Sequence, residues 1–83
     1  MNRLTRIIDL RSITEVRRLG KIAGSKNIPL DRFLELIRDG KINNDNLMVY
    51  CQTGARSRRA TFIANYHGYK CKDLGGLLST FVR

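Results

Sequence analysis

The stretch Leu47-Met48-Val49-Tyr50-Cys51-Gln52-Thr53-Gly54-Ala55-Arg56-Ser57 decides how this chain folds. Leu47 to Tyr50 are four apolar residues in a row. That pattern suits a strand buried on both faces of a parallel sheet. Cys51 follows it directly, and Gly54 lets the backbone turn inward without a Cβ clash. Ser57 is placed to cap a helix running to about His67. Ala60, Ile63, Ala64 and His67 would form its stripe, and Gly68 its stop.

Outward from this unit the alternation repeats. Leu4 to Leu10, with Ile7-Ile8 bounded by Asp9, reads as a first buried strand. Ser12-Ile13-Thr14-Glu15 has capping-box spacing and opens a short helix to about Leu19. Gly20 and Gly24 bracket a turn, and Ser25 to Ile28 form a brief strand that stops at Pro29. Asp31 to Arg38 is a helix with Phe33, Leu34 and Ile37 on its apolar stripe, Leu36 off it, and Gly40 beyond its end. Asn43 to Asn46 is a polar loop. Tyr69 to Leu74 is a further strand, Gly75-Gly76 turns the chain, and Leu77 to Val82 makes a last helical turn or two. Strand and helix alternate throughout. The expected fold is therefore a three-layer α/β/α domain with a small, mostly parallel sheet and right-handed crossovers.

The bulk properties bound the function. Eighty-three residues amount to one small domain, taken as residues 1–83. Hydrophobic residues make up 42% of the chain, enough for a core. Sixteen Lys and Arg against seven Asp and Glu give a net charge of +9, which reads as a solvated basic surface or, more sharply, as attraction of small anionic substrates, with an anionic membrane surface or nucleic acid as the further alternative. No Lys/Arg block exceeds two residues and no aromatic ladder interleaves with the basic ones, which argues against nucleic acid. Cys51 and Cys71, with the single His67, make neither a disulfide framework nor a metal site, and no cofactor is expected. The first residues lack the apolar stretch of a signal peptide, and no segment is apolar for long enough to span a bilayer. A cytoplasmic location is the expectation, and a periplasmic one would follow from a signal removed upstream.

The chemistry converges on Cys51. In open α/β sheets ligands bind beyond the carboxyl ends of strands. A helix N-terminus there offers unpaired amides and partial positive charge, which stabilise a thiolate and an adjacent anion. Arg56, Arg58 and Arg59 add formal charge. Two loop chemistries compete. Cysteine-dependent phosphatases place Arg six steps after Cys; here Arg56 is five steps after Cys51, and the sixth position is Ser57. The shorter loop makes a tighter cradle, better suited to a persulfide sulfur than to a phosphoryl group.

Cys51-Gln52-Thr53-Gly54-Ala55-Arg56-Ser57 resembles the active loop of the rhodanese-like domains. Ile8-Asp9-Leu10-Arg11 resembles their Ile-Asp-x-Arg strand, and Glu15 falls where their first helix carries a Glu. The segment from Gly20 through Gly24 to Pro29, and His67-Gly68-Tyr69 with Leu74-Gly75-Gly76, are similar to further motifs of the family. The chain departs from the pattern at Lys21 and Ala23, where His and Pro are usual. The resemblance implies a sulfurtransferase working by ping-pong through a Cys51 persulfide. The donor would be thiosulfate or a persulfide, and the acceptor a thiol such as thioredoxin or glutathione. It implies that Arg56 binds the sulfonate-like end of the donor, and that the loop amides of Gln52, Thr53, Gly54, Ala55 and Ser57 hold the persulfide charge. A non-catalytic carrier or docking module is the alternative, and a phosphatase or arsenate reductase of related fold a third. Asp9 with Arg11 reads as a structural link, His67 as a surface residue, and Cys71 as a core or edge residue, with a resolving thiol for Cys51 as its functional alternative.

Overall fold

The computed structural model describes residues 6–43 and 46–77. The elements are β1 (Arg6–Asp9), α1 (Ile13–Leu19), β2 (Lys26–Asn27), α2 (Leu30–Arg38), β3 (Leu47–Cys51), α3 (Ala55–Tyr66) and β4 (Cys71–Gly76). The four strands form one all-parallel sheet in the order β2-β1-β3-β4. β1 to β2 steps one way across the sheet, whereas β2 to β3 and β3 to β4 step the other way. With right-handed crossovers this places α1 on one face and α2 with α3 on the opposite face. The expected three-layer arrangement follows.

The core lies between the sheet and the α2–α3 layer. Ile8, Leu10, Leu47, Val49 and Cys51 pack there against Phe33, Ile37, Ala60 and Ala64. The small side chains of Ala60 and Ala64 let α3 lie close to β3 and β4. α1 buries no residue. It is held at its start instead, where Ser12 and Glu15 form the reciprocal capping box foreseen from their spacing.

Several boundaries differ from the sequence reading. β2 has only two residues, because its pairing is limited to Ile8 and Asp9 of β1. α3 begins at Ala55, and its cap is not Ser57. Gly54 takes the N-cap position at φ 101, and the Ser57 hydroxyl donates back to the Gly54 carbonyl. His67 is exposed and forms the C-cap of α3, so it does not belong to the buried stripe. Gly75 and Gly76 do not turn the chain. They are the last residues of β4 and pair with Tyr50 and Cys51. The expected helix from Leu77 to Val82 lies outside the described residues apart from Leu77, as do Leu4, Thr5, Asn44 and Asp45.

Candidate active site

β3 ends at Cys51, and the loop Gln52-Thr53-Gly54 carries the chain straight into α3. The left-handed backbone of Gly54 reverses the loop toward the sulfur. Two amides consequently point at Cys51 Sγ. The Gly54 N–H donates at 3.1 Å and the Ser57 N–H at 3.3 Å. Both belong to the start of α3, where amides have no intrahelical acceptor and the helix dipole is positive. This is a cradle for a negatively charged sulfur.

The floor of the cradle is Gly76. A register shift opposite Val49 and Tyr50 leaves Leu74 unpaired, and Gly75 N–H turns back to Asp73 Oδ1 at 2.7 Å. This bulge brings Gly76 beside Cys51, beneath the loop. A Cβ on Gly76 would meet Thr53 C at 2.5 Å, Gln52 O at 2.8 Å and Gly54 N at 2.8 Å. Only glycine admits so close an approach. The sequence pattern of Gly75-Gly76 reads as a turn because the contact partner of Gly76 lies more than twenty residues earlier in the chain.

The sequence-predicted residues fall around this cradle as follows. Cys51 and Ser57 are buried, Gln52, Gly54 and Arg56 are half-buried, and Thr53 and Ala55 are exposed. The amides that reach Sγ are those of Gly54 and Ser57. Arg56 does not stand free: its Nη1 and Nη2 donate to Glu15 Oε1 at 2.8 Å and Oε2 at 2.9 Å. The pair joins the starts of α1 and α3 across the loop. Hydrogen bonding to Arg56 lowers the Glu15 carboxyl to about 2, and the same bonds raise Arg56. Glu15 was matched to a family position in the sequence, but its partner was not visible there.

A second buried group braces the loop from the β1 side. Arg11 and Asp9 are both fully buried and joined at 2.7 Å. Arg11 also donates through Nη1 to Gln52 Oε1 at 2.9 Å and through Nη2 to the Gly20 carbonyl at 2.6 Å. Tyr50 donates to Asp9 Oδ2 at 2.7 Å, and its hydroxyl accepts from the Ile22 N–H at 3.1 Å and meets Ser25 Oγ at 3.0 Å. Burial acts to raise the Asp9 carboxyl. The hydrogen bonds from Arg11 and Tyr50, with the Arg11 charge, outweigh it and hold the group below its usual value. Burial pushes the Tyr50 phenol up, so it stays a donor. The structural link expected of Asp9 and Arg11 is thus present, and through Gln52 it reaches the active loop.

Cys71 pairs in register with Leu47, at the opposite end of β3 from Cys51. The two positions are four steps apart along the strand direction, roughly 13 Å at about 3.3 Å per residue. Disulfides need Cα atoms within about 7 Å. Cys71 is therefore not a resolving thiol for Cys51 within this fold. It is a half-buried free thiol whose ionisation burial opposes. Among the described residues no His, Cys, Asp and Glu cluster could hold a metal ion, and no helix is long and apolar enough to cross a membrane.

A sulfur-bearing strand end, an amide cradle and a paired arginine on an all-parallel sheet define a small α/β domain built around one cysteine. The chain belongs to the rhodanese-like domain family, whose model matches residues 1–80. It is similar to a rhodanese from E. coli solved with anions, at 28% identity and a TM-score of 0.73, over 96% of this chain and 95% of that one. It is similar to the human single-domain sulfurtransferase TSTD1, at 27% identity and a TM-score of 0.73, over 87% and 75% of the two chains. A protein of unknown function from Rhodopseudomonas palustris, described as a possible tyrosine phosphatase, matches at 27% identity and a TM-score of 0.74, over 90% and 64%. No curated protein matches the chain. Family and neighbours support a sulfurtransferase-type role.

Proposed function

We propose that the protein moves a sulfane sulfur from an anionic donor to a thiol through a persulfide on Cys51. The observation that carries this reading is the cradle: two amides within 3.3 Å of one sulfur, at the end of a buried strand. The Cys51 thiolate attacks the outer sulfur of thiosulfate, the S–S bond of the donor breaks, and sulfite leaves with the bonding pair. The Gly54 and Ser57 amides, which already face Sγ, offset the charge that the outer sulfur carries. An acceptor thiolate then attacks that outer sulfur, and Cys51 departs as thiolate. Neither step needs a cofactor.

Arg56 contributes charge beside the cradle, and the N–H groups not taken by Glu15 are left for the donor's sulfonate oxygens. Cys51 has no accessible surface, so the loop must yield for a donor to reach Sγ. The exposed side chains of Thr53 and Ala55 form its outer side. Thiosulfate is the donor best matched to a basic chain, and a low-molecular-weight thiol or thioredoxin the matching acceptor.

The test is incubation of the reduced protein with thiosulfate, followed by intact-mass measurement and by thiocyanate release with cyanide. The expected result is a gain of roughly 32 Da on Cys51, removed by cyanide and absent from Cys51→Ser. A folded, reduced protein that takes up no sulfur refutes the reading. Cys51-dependent hydrolysis of an aryl phosphate would replace it with the phosphatase one.

A further inference from the structure

Arg58 and Arg59, counted in the sequence as charge near Cys51, are exposed on the outer side of α3 and not in the cradle. The inner side of α3 is Ser57, Ala60 and Ala64. On its outer side Arg58, Arg59, Phe62 and Tyr66 are all exposed, with Phe62 at 72% and Tyr66 at 81%. Positions 59, 62 and 66 follow the i, i+3, i+7 spacing of one helix face, with position 58 beside them. The face is about 10 Å long at a rise of 1.5 Å per residue. A scattered exposed apolar residue is ordinary on any protein surface. Two aromatic rings in line with two arginines are the composition of an interface centre.

Charge identifies the occupant. Among the described residues neither Arg58 nor Arg59 has an ion-pair partner, while Asp9, Glu15, Glu35 and Asp39 are each engaged with another arginine. The chain carries +9 overall. A second copy would set arginine against arginine across a shared face, so self-association is disfavoured. A membrane is disfavoured because the inner side of α3 is already committed to the core, leaving two rings to insert. Two arginines within about 10 Å match a few carboxylates better than an extended phosphate backbone. The face also begins at the active loop: Arg58 directly follows Ser57, whose amide lies 3.3 Å from Cys51 Sγ.

We propose that Arg58, Arg59, Phe62 and Tyr66 dock an acidic protein whose own cysteine takes the sulfur from Cys51. The proposal rests on the persulfide reading for its transfer step and on the surface alone for its docking step. In the transfer, the partner's thiolate attacks the outer sulfur of the Cys51 persulfide. The bond from that sulfur to Cys51 Sγ breaks, Cys51 leaves as thiolate, and the partner holds the persulfide. The sulfane sulfur changes hands with no outside oxidant or reductant.

Two cysteine peptides of equal length serve as probes, one rich in glutamate and one with glutamine at the same positions. Protein loaded with thiosulfate is mixed with each at low salt, and sulfur transfer is followed by intact mass. The glutamate peptide is expected to react about tenfold faster than the glutamine one, and 0.5 M salt should erase most of the difference. The ratio falls toward one in Arg58→Gln/Arg59→Gln and is reduced in Phe62→Ala/Tyr66→Ala, each peptide rate being divided by that variant's own rate of transfer to 2-mercaptoethanol. Equal rates for the two peptides overturn the proposal, as does a preference that survives both double variants. Tighter arginine-dependent binding of single-stranded DNA or of phosphatidylserine vesicles than of the glutamate peptide also overturns it. If no persulfide forms, the docking step is read separately, by fluorescence anisotropy of the labelled serine version of each peptide. Arginine-dependent binding of the glutamate peptide then upholds docking while the persulfide reading fails.

Discussion

Replacing Gly76 by alanine places a methyl group into backbone that cannot move aside freely. The nearest atoms to the new Cβ are the Thr53 carbonyl carbon at 2.5 Å, Gln52 O at 2.8 Å and Gly54 N at 2.8 Å. Ordinary van der Waals contact begins at 3.4 Å, so the loop must lift by about 0.6 to 1 Å, or β4 must fall away by as much. All three atoms are main-chain atoms of the loop that cradles Cys51. The Gly54 amide now donates to Sγ at 3.1 Å, and a shift of this size stretches the contact to the outer limit of a hydrogen bond to sulfur. A misplacement of about 1 Å at a reacting centre costs on the order of 100-fold in rate. Overpacking itself costs about 1–3 kcal/mol. In a domain of this size that lowers Tm by roughly 5–20 °C. The assay is thiosulfate:cyanide turnover at a temperature where the variant remains folded, with a thermal melt in parallel. The expected outcome is a folded variant with turnover down by about two orders of magnitude. A variant with wild-type Tm and turnover would show that β4 does not support the loop as described.

Three further outcomes follow from the geometry. Glu15 falls from its ordinary 4.5 to about 2 in the folded state, so its contribution is complete above pH 4.5 and is lost as pH falls toward 2. About a third of each partner is exposed, so screening reduces that contribution to about 1 kcal/mol. Glu15→Gln should show that deficit in urea unfolding at pH 7 and converge with the parent near pH 2, whereas a deficit constant across this range would refute the assignment. Asp9→Asn leaves the Arg11 guanidinium buried without a counter-charge and should lose about 3–5 kcal/mol in the same measurement; a loss below about 1 kcal/mol would contradict the buried pair. Treatment of the native protein with a mild disulfide-forming oxidant should yield no Cys51–Cys71 link on peptide mapping, since the strand register holds the two far apart, and finding one in folded protein would refute that register.

The local pattern was legible wherever chemistry and structure sit close together in the chain. Leu47 to Tyr50 announced a buried strand because every side chain there is apolar, and the strand is at the centre of the sheet with neighbours on both sides. Ser12 and Glu15 announced the start of α1 because a capping box closes within four residues. The count from Cys51 to Arg56 announced a tight loop. The helix cap lies three residues earlier than expected because Ser57 is a common capping residue, whereas Gly54 serves here through its left-handed backbone.

Sequence alone therefore determined the order of elements and the α/β class and singled out Cys51 as the candidate reactive group, since these rest on periodicity and on short-range spacing. Tertiary structure alone decided what surrounds that group. Gly76 meets the loop from 22 to 24 residues away in the chain, Glu15 reaches Arg56 across 41, and Arg11 reaches Gln52 across another 41. No local pattern encodes such contacts, because parallel strands bring together segments separated by whole crossover helices. The same register put Cys71 at the far end of β3 and removed it from the chemistry. Cys51 was thus named by its neighbours in sequence, and its cradle was built by residues remote from it.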